Sequence, residues 1–295
     1  MTYAAIAREK AAAVERTGQL GEGSAGSLVV ARFFIEGFGN AEQRAHWLPR
    51  LASVAISEPR VGAHPKLLTT RAVQDLDGYC ISGEKAWVTN GPLADVFIVF
   101  AVTSVEGGRK RYGALLVPRD TSGLTIDEAP QYRALAPSRH CGLKLDCCRV
   151  PRSALLGRPS TAYETMALPF RDVEDAVGTC GWLGAFRFLR TRFAPCAESD
   201  AAKLSLGGIV GLIAVFAAAV EVVVAALDDG DLACHGPALV GLRVLATIIL
   251  QRVRVHRDEF GPASDNAVER LFSDLDVSLS IARGPRQARQ ARLAG

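Results

Sequence analysis

Between residues 79 and 150 the chain reads as strands, while the sequence on either side of that block reads as helices. The β-branched or alternating stretches are Tyr79–Ser82, Lys85–Thr89, Asp95–Thr103, Tyr112–Pro118 and Gly142–Val150. Asp75-Leu76-Asp77-Gly78, Asn90-Gly91-Pro92, Glu106-Gly107-Gly108 and Asp120-Thr121-Ser122-Gly123 punctuate them as turns. Short strands at this spacing predict a small antiparallel barrel or sandwich of about 100 residues. Upstream, residues 4–16 are alanine-rich with charges at helical spacing, and Gly21-Glu22-Gly23-Ser24-Ala25-Gly26 breaks the pattern. Leu28–Phe38 is an apolar run that reads as a buried helix, and Asn40 suits the N-cap of a short helix over Ala41–Leu51. Downstream of a linker at Pro151–Pro159, helical patterns cover Val173–Phe193, Leu204–Leu227, Gly236–His256 and Ala267–Leu279. Arg243, Arg252 and Arg254 are expected on an outward face, and the basic tail from Arg283 reads as a solvated end rather than a phosphate-binding arm. The expected organisation is a helical remnant at 1–52, a middle β domain at 53–157 and a helical bundle at 158–295. A β domain set between two helical segments is uncommon, and it narrows the field of folds.

Composition excludes several classes. Hydrophobic residues make up 49% of the 295 positions and charged residues 22%, so the chain can bury a core and is not disordered as a whole. Its 34 basic and 31 acidic residues leave a net charge of +3, too balanced to argue for nucleic acid. Seven cysteines occur without a Cys-x-x-Cys pair or zinc spacing, which predicts reduced thiols in a cytoplasmic protein and no metal site. The first ten residues lack the basic head and apolar core of a signal peptide. Leu204–Leu227 is long enough to span a membrane. Glu221 inside it, flanks without basic bias and amphipathic neighbours favour a helix buried in a bundle.

The most informative stretch is Val54–Gly91. Ser57 and Thr89 bring hydroxyls on two short β segments, and Trp87 brings an indole. Hydroxyls, strand N–H groups and a flat ring suit a planar, hydrogen-bonding ligand. The same three residues are also ordinary occupants of half-buried strands, and residue types alone leave both readings open.

Longer motifs add to this. Ile56-Ser57-Glu58-Pro59-Arg60-Val61-Gly62-Ala63-His64 and Gly83-Glu84-Lys85-Ala86-Trp87-Val88-Thr89-Asn90-Gly91 together resemble the opening motifs of the middle domain of the acyl-CoA dehydrogenase family. Phe38–Arg44 and Leu48–Ser53 resemble the approach to that domain, and Asp95–Ala101 and Tyr112–Pro118 its next strands. The resemblance is specific from about residue 28 to 157 and fades beyond Phe193. It implies an α+β fold of acyl-CoA dehydrogenase type, with truncated N-terminal helices, a middle antiparallel β-barrel domain and a C-terminal helical bundle. It also implies bound FAD, with Ile56, Ser57, Trp87 and Thr89 beside the flavin. The implied reaction is α,β-dehydrogenation of an acyl-CoA or acyl-carrier thioester, as in fatty acid metabolism. The implied assembly is an oligomer of this chain or with a homologue.

The sequence departs from the family pattern in four places. The family's Gly-Ser-Asp is Gly62-Ala63-His64, and His64 reads as a loop residue. The position of the usual C-terminal catalytic glutamate falls at Ala282 or Arg283, neither of which accepts a proton. In some family branches the base sits on an earlier helix in a pattern like Asp-x-Glu-Arg. Asp172-Val173-Glu174-Asp175 resembles it, which makes Glu174 the candidate base. Glu174 also fits a solvated first-turn glutamate, and Asp175 is a second carboxylate able to raise its pKa. The family's paired glycines at the FAD pyrophosphate appear as Arg257-Asp258, and the N-terminal helices are fewer. A flavin-dependent dehydrogenase is therefore expected. The alternative is a catalytically impaired member acting as the partner subunit of a complete homologue.

Overall fold

The computed structural model describes residues 1–21, 25–129, 135–262 and 265–295. The break expected at Gly21–Gly26 lies partly outside the described residues. The chain forms two compact units, one of residues 26–134 with 138–171 and the other of residues 1–25 with 135–137 and 172–295.

The first unit is built on a sheet of eight strands among the described residues: β1 (Ala52–Ala55), β2 (Arg71–Gln74), β3 (Gly78–Thr89), β4 (Val96–Glu106), β5 (Arg109–Pro118), β6 (Leu124–Asp127), β7 (His140–Pro151) and β8 (Leu155–Leu156). Seven of them run in the order β6-β7-β3-β2-β4-β5-β8, and β1 pairs with β4 off this path. Most pairings are antiparallel, while β1 and β2 each pair with β4 in parallel. The first seven residues of β4 are buried without alternation, as befits a strand covered on both faces. Phe100 of β4 meets Phe34, which also stacks against Phe170 with ring centroids 4.6 Å apart.

Two sequence expectations change form here. Tyr79–Ser82 and Lys85–Thr89 are one long strand, β3, bent by bulges against β7 between Ile81 and Gly83 and between Lys85 and Val88. Leu28–Phe38 is helical, but its second half, Ala31–Glu36, winds as a π-helix after the short α-helix Ala25–Val30 (α2). The helix over Ala41–Trp47 (α3) carries the expected Asn40 cap in a full capping box with Gln43.

Cys80 on β3 and Cys147 on β7 form a disulfide, so the expectation of seven reduced thiols is corrected for this pair. The β3–β7 pairing brings their Cα atoms to 4.9 Å, within disulfide range, although 67 positions separate them in sequence. Cysteine spacing alone offers no sign of it.

The second unit is helical. It comprises α1 (Tyr3–Thr17), most of α4 (Leu168–Phe193), α5 (Asp200–Asp229), α6 (Gly236–Phe260), α7 (Asn266–Ser280) and α8 (Arg283–Ala291). α5 buries Ile209, Ile213, Phe216, Val220 and Val223 along one stripe at helical spacing. α1 is anchored to α5 by the Asp228 carboxylate, which accepts from the N–H groups of Tyr3 and Ala4, and by an Arg8–Glu221 pair at 2.8 Å. Trp182 on α4 donates its indole N–H to Ser278 on α7. By length and composition alone, α5 and the segment from Leu232 to Phe260 are apolar enough to cross a membrane.

Candidate functional site

The Ser-Glu-Pro and Gly-x-Lys-x-Trp motifs are joined by a buried ion pair. Lys85 points inward from β3, and its ammonium lies 3.0 Å from Glu58 Oε1. The same ammonium donates to the Ile56 carbonyl at 3.1 Å. The Glu58 carboxylate also accepts from the Thr69 N–H, the Thr69 hydroxyl and the Thr70 N–H, all within 2.9 Å. Burial alone raises the pKa of Glu58, but Lys85 and these hydrogen bonds outweigh it and hold the carboxyl at about 2. Burial pushes Lys85 down to about 8, against the pull of Glu58.

This pair fixes the backbone on which the expected flavin neighbours sit. The Ser57 carbonyl accepts the Ala86 N–H at 2.9 Å, which docks the end of the first motif beside the second. Ser53 donates to the Thr89 carbonyl at 2.8 Å. Two motif glycines are needed for close approach. A Cβ on Gly83, whose φ is +145°, would lie 2.7 Å from Thr70 Cα. One on Gly91 would lie 2.4 Å from the Cys141 sulfur.

Ile56, Ser57, Trp87 and Thr89 all belong to the sheet unit. Trp87 lies at the second β3 bulge with φ +58°, a left-handed conformation that is unusual for a bulky residue. Its indole remains 52% exposed and stands edge-on to His140 at 6.2 Å. Thr89 is exposed on the same side while Val88 between them is buried, as strand alternation requires. The Ser57 and Thr89 hydroxyls have no hydrogen-bond partner among the described residues. A half-exposed ring with two uncommitted hydroxyls nearby in the fold fits the needs of a flat, polar-edged ring system. Glu58, Lys85 and Thr70 were missed as contributors, although Glu58 and Lys85 are letters of the two motifs. A lysine at an inward position of β3 and a glutamate just past the end of β1 are the signal for such a pair.

Glu174 belongs to the helical unit, on α4. It is exposed at the helix surface, and the partly buried Lys10 of α1 feels its charge. Asp175, next to Glu174, pairs with the guanidinium groups of Arg286 and Arg243. Arg243 is therefore half-buried and paired, not outward-facing. Arg257 binds the carboxylates of Asp258 and Glu269, so its charge is already committed. His64 is exposed in its loop, where Nδ1 accepts from the Lys66 N–H at 3.3 Å. Ala282, at φ +52°, precedes α8, and neither it nor Arg283 supplies a base.

Known proteins resemble the chain over part of its sequence and most of its fold. Residues 53–148 match the model of the acyl-CoA dehydrogenase middle domain. An acyl-CoA dehydrogenase of Bacillus subtilis (strain 168) is 33% identical over 132 residues, 43% of this chain and 35% of that protein. The chain aligns with about a third of the length of the first curated relatives it matches. In fold, glutaryl-CoA dehydrogenase from Mycobacterium smegmatis superposes with a TM-score of 0.83 at 23% identity, over 98% of this chain and 78% of that one. Another structure of a glutaryl-CoA dehydrogenase from the same organism, in complex with FADH2, gives 0.73 at 22% identity, over 87% and 69%. The sequence match to the acyl-CoA dehydrogenase middle domain falls on the strands that carry both motifs, and the likeness of fold to solved acyl-CoA dehydrogenases extends through the helices beyond them.

Proposed function

We propose that the protein is a flavoprotein of acyl-CoA dehydrogenase type, acting on an acyl-CoA or acyl-carrier thioester. The observation that carries this is the exposed Trp87 indole with the Ser57 and Thr89 hydroxyls, set on a backbone fixed by the buried Glu58–Lys85 pair. FAD, when bound, supplies the acceptor for the two electrons of a carbon–carbon desaturation. Ile56 and Ser57 would hold it through backbone and hydroxyl groups, Thr89 through its hydroxyl, and Trp87 would wall one side and exclude water. Glu174 would take the proton from the carbon next to the thioester.

The test is reconstitution. Purified protein mixed with FAD is expected to retain the flavin through gel filtration, and Trp87→Ala is expected to weaken retention at least tenfold. Protein that stays colourless removes the proposal. With flavin bound, Glu174→Gln is expected to abolish bleaching by acyl-CoA, and bleaching at the native rate would exclude Glu174 as the base.

A second reading is a catalytically impaired partner subunit of a complete homologue. Two observations favour it. Arg257 is committed to Asp258 and Glu269, and α5 carries an apolar face exposed at Leu204, Val215 and Val222. Stoichiometric co-purification with a flavin-containing homologue would support this reading over the first.

A further inference from the structure

The helical unit contains a cleft of about 490 Å³, walled by α6, the end of α7 and α8, with Asp175 of α4 at its edge. That volume is within the range of small-molecule sites. Its α6 wall carries two adjacent stripes at helical spacing. Val240, Val244 and Ile248 form an aliphatic stripe, and Arg243, Thr247 and Gln251 form a polar one. Val244 and Ile248 are left well exposed.

Charge in the cleft is unbalanced. Arg243, Arg254, Arg283, Arg286 and Arg289 line it. Their carboxylate partners are Asp172, Asp175 and Asp276, so five arginines against three carboxylates leave two positive charges in excess. One of the two lies where it is hardest to solvate. Arg243 and Arg286, with side chains 17% and 15% exposed, converge on the single carboxylate of Asp175. Burial pulls the Arg243 pKa down to about 10, and the charge of Arg286 adds to the effect. A desolvated cation that lacks its full counter-charge is destabilising, and an anion in the cleft would relieve it. Arg283 at the rim makes no ion pair or hydrogen bond among the described residues, so its guanidinium is available.

We propose that this cleft binds a small anionic amphiphile, a phosphate or carboxylate carried on an aliphatic arm. The guanidinium side takes the anion, and the Val240–Val244–Ile248 stripe takes the arm. The site is made wholly within the helical unit, and it stands whether or not the flavin reading holds.

Calorimetric titration of the full chain with octyl phosphate and with octanoate tests it, with inorganic phosphate and octanol as controls. At least one of the two amphiphiles is expected to bind saturably at one site, more than tenfold tighter than either control. The tighter of the two identifies the headgroup. Arg254→Gln combined with Arg283→Gln is expected to weaken that binding at least tenfold, with an unchanged circular dichroism spectrum and unchanged flavin retention. Both side chains lie at the surface end of the cleft, so the variant is expected to fold. Absence of saturable binding by both amphiphiles, equal affinity in the double variant, or inorganic phosphate binding as tightly as octyl phosphate would overturn the proposal.

Discussion

Two opposite charges removed from water, as Glu58 and Lys85 are, each cost several kcal/mol of desolvation, and only close pairing and added hydrogen bonds recover it. Here the recovery is thorough, since Thr69 and Thr70 saturate the carboxylate and the Ile56 carbonyl takes a further ammonium N–H. Breaking one side is therefore expected to be expensive. Glu58→Gln should destabilise the protein by about 3–5 kcal/mol in urea titration. Lys85→Met should cost a similar amount, and the double variant should cost less than the sum by more than about 1 kcal/mol. A strictly additive double variant would mean that the two charges do not depend on each other. The pH dependence has a definite sign. The folded-state pKa of Glu58, at about 2, lies below that of the unfolded chain. Its contribution is therefore fully present above the unfolded carboxylate range near pH 4 and is lost as pH falls toward about 2. Glu58→Gln should flatten that acid limb of the stability curve.

Among the elements, β3 and α8 show how far local sequence reaches. The two halves of β3 are legible as strands because Val88 and its neighbours alternate. The bulges joining them depend on β7, more than fifty residues downstream, and on Thr70 leaving no room at Gly83 for a side chain. α8 is the opposite case. It buries no residue, and its sequence Arg283-Gly284-Pro285-Arg286 offers nothing apolar to dock, so it reads as a loose tail. It is ordered as a helix because Arg286 meets Asp175 and Arg289 meets Asp172, over a hundred positions away in sequence. Asp172→Asn with Asp175→Asn is expected to release it. Hydrogen exchange in α8 should rise at least tenfold while α6 and α7 keep their protection, and unchanged α8 protection would mean that the ion pairs do not hold the helix.

At the scale of the molecule, α5 buries one stripe and leaves another apolar stripe exposed at Leu204, Val215 and Val222. A long apolar face of this kind marks an association surface. Sedimentation is expected to give a mass above the 31.4 kDa of one chain, and Val215→Asp with Val222→Asp is expected to shift the protein toward the monomer. A native protein that sediments at the single-chain mass alone would remove this expectation. The sequence by itself determined the α+β character, the helical flanks and the place of the two motifs, because periodicity, turn residues and short motifs are local signals. It also placed Ser57, Trp87 and Thr89 as the residues worth following. Only the tertiary structure decided how their backbone is fixed, that Cys80 and Cys147 are bonded, and that Asp175 pairs with both Arg243 and Arg286. Each of those outcomes depends on which distant side chain arrives within about 4 Å, where charge and hydrogen bonding act, and no local pattern encodes that.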